Sequence, residues 1–197
     1  MKRTLVIAAA LWLAVPTAEG NARDLRPDTV FTQFASGDET QSWSVGGQWD
    51  WRRQWRVTDS LRLGGRWEIA VGRWWSEAGV DGEDRAWVTQ LSLIPNLRLS
   101  SAYGDGWYAQ VGSGPSLLLP LYYSNERRFS TKFNFQSHLA VGYVAGIGGE
   151  HDFGVRIEHF SNAGIREPNP GVNLVSLRYT YRFGDRGPRL SSLAPGQ

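Results

Sequence analysis

From Trp43 to Phe183 the chain keeps a period of two. Trp43, Val45, Gly47, Trp49 and Trp51 fall on one side, and Ser44, Gly46, Gln48, Asp50 and Arg52 on the other. The same alternation returns in Leu61–Val71, Trp87–Leu99, Trp107–Leu119, Phe133–Tyr143, Val155–Ser161 and Val175–Phe183. A strand turns successive side chains to opposite faces, so this pattern belongs to sheet with one apolar and one polar face. A weaker run over Thr29–Ala35 brings the expected strands to about eight. Pro95 interrupts the third of the strong runs; it lacks a ladder donor and predicts a bulge or an early strand end. The 10 Trp, 7 Tyr and 23 Gly of the 197 residues suit many strands and turns and leave little room for helices.

Sheet of this kind closes into a barrel in one of two senses. A soluble lipocalin-like barrel buries the apolar face, with residues such as Leu91 and Val141 inside. A transmembrane barrel shows that face to lipid. The polar face here carries Arg, Glu, Asp and Gln, a set that fills a small barrel with a polar network. Trp and Tyr recur near the expected strand ends, as membrane interfaces require. The expectation is therefore an all-β, eight-stranded antiparallel transmembrane barrel.

The first residues fit export. Lys2 and Arg3 precede the apolar run Leu5–Val15, which is too short to span a bilayer, and small residues follow at Ala18, Gly20 and Ala22. The expected organisation is a signal peptide over 1–22, a barrel over 23–185, and a Gly-, Pro- and Ser-rich disordered tail over 186–197. A buried N-terminal helix is the plainer alternative for the first segment. The chain has no cysteine and a net charge of +2. Thiol chemistry is thereby excluded, and no like-charge tract is present to grip nucleic acid.

Chemistry concentrates in His159-Phe160-Ser161-Asn162-Ala163-Gly164. Residues i and i+2 of a strand share a face, so His159 and Ser161 project together. A serine hydroxyl is a weak nucleophile until a base is held against it, and this element supplies both, with the Asn162 amide nearby. Long connections near Ser36–Gln41, Ser76–Asp84, Leu121–Thr131 and Ala163–Gly171 alternate with shorter ones near Tyr103–Gly106 and Gly146–Glu150. Barrels place long loops outside the cell. His159 and Ser161 then lie at the outer end of the seventh strand. By parity with Val155 and Ile157 they face lipid.

The terminal motif, continued by Pro168-Asn169 and Gly171 and supported by Trp49-Asp50-Trp51 and Trp55, resembles the PagL-type lipid A 3-O-deacylases of the Gram-negative outer membrane. The resemblance implies hydrolysis of the ester at position 3 of lipid A by a Ser-His-Glu triad. Ser161 matches the nucleophile and His159 the base. The resemblance places Asn162 and Gly164 at the oxyanion site. The family's glutamate lands on Asn173, a departure from its pattern. An amide oxygen can fix an imidazole tautomer but offers no charge. Glu167 is the alternative acid, while Glu158 points away from His159.

Arg127, Arg128 and Arg166 lie on expected outer loops, where guanidinium suits lipid A phosphates. His138 reads as part of the lumen network and His151 as a solvated turn residue. Asn169 reads as a turn former. No metal or organic cofactor is implied. The expected partners are lipopolysaccharide and the membrane, and oligomeric state stays open, a homodimer included. A non-catalytic barrel for integrity or adhesion and an outer-membrane phospholipid acylhydrolase are the rival functions.

Overall fold

The protein is described by a computed structural model covering residues 25–77, 85–124 and 126–183. The expected leader (1–22) and tail (186–197) lie outside the described residues. Eight strands follow in order: β1 (Thr29–Gly37), β2 (Thr40–Arg56), β3 (Leu61–Glu77), β4 (Arg85–Ser101), β5 (Gly106–Leu119), β6 (Phe133–Ala145), β7 (His151–Ser161) and β8 (Val172–Arg182). Each pairs antiparallel with the next, and β8 returns to β1, closing the barrel. The weak first run is a full strand because closure gives it two partners, with Thr29 opposite both Gln48 and Arg182.

Period two sorts the side chains. Leu91 is 44% and Val141 58% exposed on the outer face, which overturns the soluble arrangement that needed them inside. Aromatic side chains cluster at two levels of that face. Phe34, Trp75 and Trp87 form one set, with ring centroids 5.8–6.2 Å apart, near the end that carries the β1–β2, β3–β4, β5–β6 and β7–β8 connections. That end is the loop end. Trp107 with Tyr143, Phe153 with Tyr179, and Tyr181 with His151 form the other set near the opposite end, the turn end. An apolar wall between two aromatic bands is the surface a bilayer requires.

The inward face is polar and ionised. Glu68, fully buried, accepts two hydrogen bonds from Arg178 (2.8 and 2.9 Å), two from Arg156 (3.1 and 3.3 Å) and one from Gln48 (2.8 Å). Glu158 accepts from Gln33 (2.9 Å) and Gln136 (3.1 Å), and Gln33 in turn takes the Nε–H of Arg178. His138 is buried in this lumen against Gln110, 3.2 Å away. Toward the turn end, Asp50 pairs with Arg66 and Arg182, and Asp152 with Arg98 (2.6 Å). Buried ions are tolerated only when they are paired, and every carboxylate named here is paired or hydrogen-bonded, although the Nδ1 of His138 beside them has no hydrogen-bond partner.

Three local expectations are corrected. Pro95 neither ends β4 nor bulges it. It keeps register with Trp67 of β3, and the missing donor falls where the β4–β5 ladder lapses between Ser92 and Asn96. The bulge lies instead in β2, between Asp50 and Gln54. The Ser36–Gln41 connection is a tight hairpin whose central residues, Asp38 and Glu39, have φ of +42° and +58°. Positive φ at both centres is the primed turn that matches strand twist. His151, expected in a turn, opens β7; it is exposed, as expected, and its Nδ1 lies 2.9 Å from the Tyr179 hydroxyl.

Glu68→Gln leaves two buried guanidinium groups facing a neutral amide. Removing one partner from a buried ionic cluster typically costs about 3–5 kcal/mol. Urea titration of the barrel in lipid vesicles is expected to show a loss of that order. A loss below about 1 kcal/mol would mean that Glu68 does not organise the lumen.

Candidate active site

The last turns of β7 divide their side chains between two environments. Phe160 points inward and is 1% exposed. It stands edge-on to Trp74, with centroids 4.6 Å apart, and Trp74 meets Tyr122, which meets Phe129. With Leu118, Val88, Val172 and Leu174 these rings fill the lumen at the loop end. Burial pushes the Tyr122 phenol above its ordinary value, so it remains a neutral partner for Thr40, 2.6 Å away. The plug fixes the β7 backbone through Phe160. Its neighbours in sequence, His159 and Ser161, are therefore held outward, His159 exposed and Ser161 half-buried.

His159 stands opposite Asn173 of β8 in the ladder, and its Nδ1 donates to the Asn173 Oδ1 at 2.8 Å. With the proton on Nδ1, the Nε2 lone pair is free to act as a base. On the other side His159 stands opposite Ser137 of β6, whose hydroxyl is 2.8 Å from that of Ser113. Ser113, Ser137, His159 and Asn173 thus form a polar row across four strands of an apolar wall. The next pairs toward the turn end are Leu139 with Ile157 and Ile157 with Val175, all exposed. Gly171 closes the row from above with φ +68°, and a Cβ there would meet the His159 Cε1 at 2.8 Å. Only glycine combines that backbone with that proximity.

The β7–β8 connection is held by its own amides. Asn162 is buried. Its Nδ2 donates to the Arg166 carbonyl (2.7 Å) and the Ser130 hydroxyl (3.1 Å), and its Oδ1 accepts from the Gly164 N–H (2.9 Å). The two donors expected to face an oxyanion are thus spent inside the loop. Asn169, expected only to shape a turn, does so by accepting the Asn162 N–H at 3.0 Å through Oδ1. That bond sets the Asn169 side chain against the backbone that follows Ser161, and its Nδ2 has no partner among the described residues. Glu167 accepts the Asn169 N–H at 2.9 Å and does not meet His159; of the two orienting groups expected, Asn173 does. Glu158 is buried in the lumen, as its parity predicts.

The arginines separate. Arg127 is engaged in the loop, donating to the carbonyls of Gly171 (2.9 Å) and Pro170 (3.4 Å) and pairing with Asp38 (3.2 Å). The side chains of Arg128 and Arg166 form no ion pair among the described residues, and Arg166 is exposed. Asp38 had no place in the sequence reading, which registered its segment only as a connection. Its Oδ2 accepts from the Asn173 backbone N–H (2.6 Å) and from the Asn173 Nδ2 (3.2 Å). Among the described residues no group of three His, Cys, Asp or Glu is placed to hold a metal ion.

The chain as a whole has relatives. Residues 40–182 match the family described as lipid A 3-O-deacylase (PagL). A lipid A deacylase PagL of Bordetella bronchiseptica is 30% identical over 187 residues, covering 91% of this chain and 92% of that protein. A protein of the same name from Pseudomonas aeruginosa is 28% identical over 182 residues, covering 91% of this chain and 98% of the relative. The crystal structure of the outer membrane enzyme PagL superposes with a TM-score of 0.68 at 24% identity, over 79% of this chain and 99% of that one, which shows a shared fold.

Gly171→Ala is expected to push the imidazole of His159 off Asn173 without opening the barrel. In ¹⁵N-histidine spectra the wild type should show one imidazole held in the Nδ1–H tautomer and the variant a tautomer mixture. An unchanged spectrum would mean that Gly171 does not set the ring.

Proposed function

The chain belongs to the lipid A 3-O-deacylase (PagL) family, and from that premise we propose that it removes the 3-O-linked 3-hydroxyacyl chain from lipid A in the outer leaflet of the outer membrane. The observation that carries the reading is the 2.8 Å bond from His159 to Asn173, on the lipid-facing wall and two residues from Ser161. The loop end faces the cell exterior in this arrangement, and the polar row sits at the depth where an outer-leaflet lipid carries its ester linkages. The acyl chain runs along Leu139, Ile157 and Val175, exposed apolar neighbours of the row.

The chemistry is acyl transfer to water. The Nε2 of His159 takes the Ser161 hydroxyl proton as Oγ attacks the ester carbonyl carbon. The tetrahedral intermediate collapses by breaking the bond to the sugar oxygen, which receives the proton from His159. Water, deprotonated by the same nitrogen, then attacks the acyl-serine carbonyl; the bond to Oγ breaks, Oγ takes the proton back from His159, and the 3-hydroxy fatty acid leaves. Asn173 holds the imidazole in the tautomer this sequence needs. The Nδ2 of Asn169 is the side-chain donor left over against the backbone that follows Ser161, and it stabilises the oxyanion. Asn162 and Gly164 serve by shaping the loop that carries Asn169. Arg166 and Arg128 meet the lipid A phosphates, while Arg127 braces the loop.

Expression in the outer membrane of a host whose lipid A keeps its 3-O-acyl chains should shorten that lipid A by one 3-hydroxyacyl group in the mass spectrum. Ser161→Ala should abolish the change, a loss on the order of 10⁴–10⁶ in rate for a nucleophile of this type. Unaltered lipid A with a folded barrel, or cleavage of phospholipids in its place, would overturn the reading. Asn169→Ala should lower kcat by roughly 10²–10³ if its amide is an oxyanion donor. A drop confined to KM would assign it to binding alone.

A further inference from the structure

Asn173 is an ambiguous partner for a histidine. Its side-chain amide has an oxygen at one corner and an NH₂ at the other, and only the oxygen holds the Nδ1–H tautomer. Rotation by half a turn would place the NH₂ against Nδ1, draw the proton to Nε2, and remove the base. Something must fix which corner faces the ring. On β8 itself nothing does so, since the neighbours Val172 and Leu174 point inward.

We infer that Asp38, in the turn between β1 and β2, is the positioning residue that fixes the Asn173 amide and through it the base of the site. Its Oδ2 accepts both the backbone N–H of Asn173 (2.6 Å) and the side-chain Nδ2 (3.2 Å). A carboxylate accepts only, so the NH₂ corner is held toward Asp38 and the oxygen is left to His159. The inference rests on the proposed hydrolytic reading of Ser161 and His159.

Asp38 is itself held on three sides. The hairpin gives it a φ of +42°, a conformation that Asp tolerates better than most residues. The Thr40 hydroxyl donates to its carbonyl (3.2 Å) while bonded to Tyr122 of the plug. Its Oδ1 pairs with Arg127, whose guanidinium also grips the carbonyls of Pro170 and Gly171. That ion pair offsets much of the field of the carboxylate, so what Asp38 transmits to His159 is chiefly orientation. A residue 135 positions away in sequence thereby takes over the orienting duty that the family's pattern gives to a glutamate at position 173.

Four purified variants in detergent–lipid A micelles test this, with lipid A deacylation as the rate and ¹⁵N-histidine spectra as the second readout. Asp38→Asn keeps the volume but turns an NH₂ either on Asn173 or on Arg127. It should lower kcat about tenfold with KM within about twofold, and the His159 tautomer should become mixed. Asn173→Glu alone sets two carboxylates against each other and should gain nothing. Asp38→Asn with Asn173→Glu reverses the order of amide and acid and should recover at least tenfold over Asp38→Asn. Wild-type kcat and a single tautomer in Asp38→Asn would overturn the inference, as would equal rates in Asn173→Glu with and without Asp38→Asn. Ser161→Ala separates the two levels. If it stays active, the hydrolytic reading fails and takes the inference with it; if it is inactive while Asp38→Asn is neutral, only the role of Asp38 fails.

Discussion

The barrel turns Glu68, Glu158, Arg156 and Arg178 inward, and every other feature depends on how they are paired. Closing eight strands leaves an interior just wide enough for side chains to fill. Here the filling is Glu68 between Arg156 and Arg178, extended through Gln33 and Gln136 to Glu158. An incompletely paired charge in such a space would cost several kcal/mol. The outer face can then be wholly apolar for most of its height. A polar group on it is consequently informative, because the fold has no need of it.

The lumen network and the site are one continuous structure. Gln136 bonds Gln90, Gln90 accepts the Trp74 indole N–H, and Trp74 packs against Phe160. Phe160 lies between His159 and Ser161 in sequence and points the opposite way. The alternation that makes β7 a strand therefore anchors the reactive pair through the residue they flank. Three further strands, β5, β6 and β8, supply the rest of the row, and their register is set by barrel closure.

How far the sequence was legible follows from which interactions are local. Strand number, face assignment and the outward pairing of His159 with Ser161 are consequences of period two, which a sequence displays directly. The Asn173 contact was also within reach, since parity and motif spacing place it on the next strand facing lipid. The roles within the β7–β8 connection were not. Asn162 and Asn169 have the same chemistry, and only the path of the loop decides which amide is consumed in turns and which stays free against the backbone that follows Ser161. Asp38 was invisible for a different reason. It reaches Asn173 only because β1 closes on β8, and Gly37-Asp38-Glu39-Thr40 reads as nothing more than a connection. Arg127 likewise resembles a free loop cation until the Pro170 and Gly171 carbonyls are brought to it.

An asparagine at position 173, where the family resemblance implies a glutamate, has a physical logic in this setting. Position 173 lies on the membrane-facing row, where an ionised side chain is expensive unless it is paired or reaches the interface. An amide there leaves the row without net charge, so lipid can pack against it at little cost. The carboxylate is moved to the rim turn at Asp38, where water and the Arg127 guanidinium are at hand. The imidazole still receives a fixed acceptor. What the arrangement gives up is the direct charge on the imidazolium of the transition state, a contribution that a carboxylate in contact would make and an intervening amide transmits only weakly. A Ser-His-Glu triad joins acceptor and charge in one side chain; here the acceptor is Asn173 on β8 and the carboxylate stands behind it at Asp38, in the β1–β2 turn.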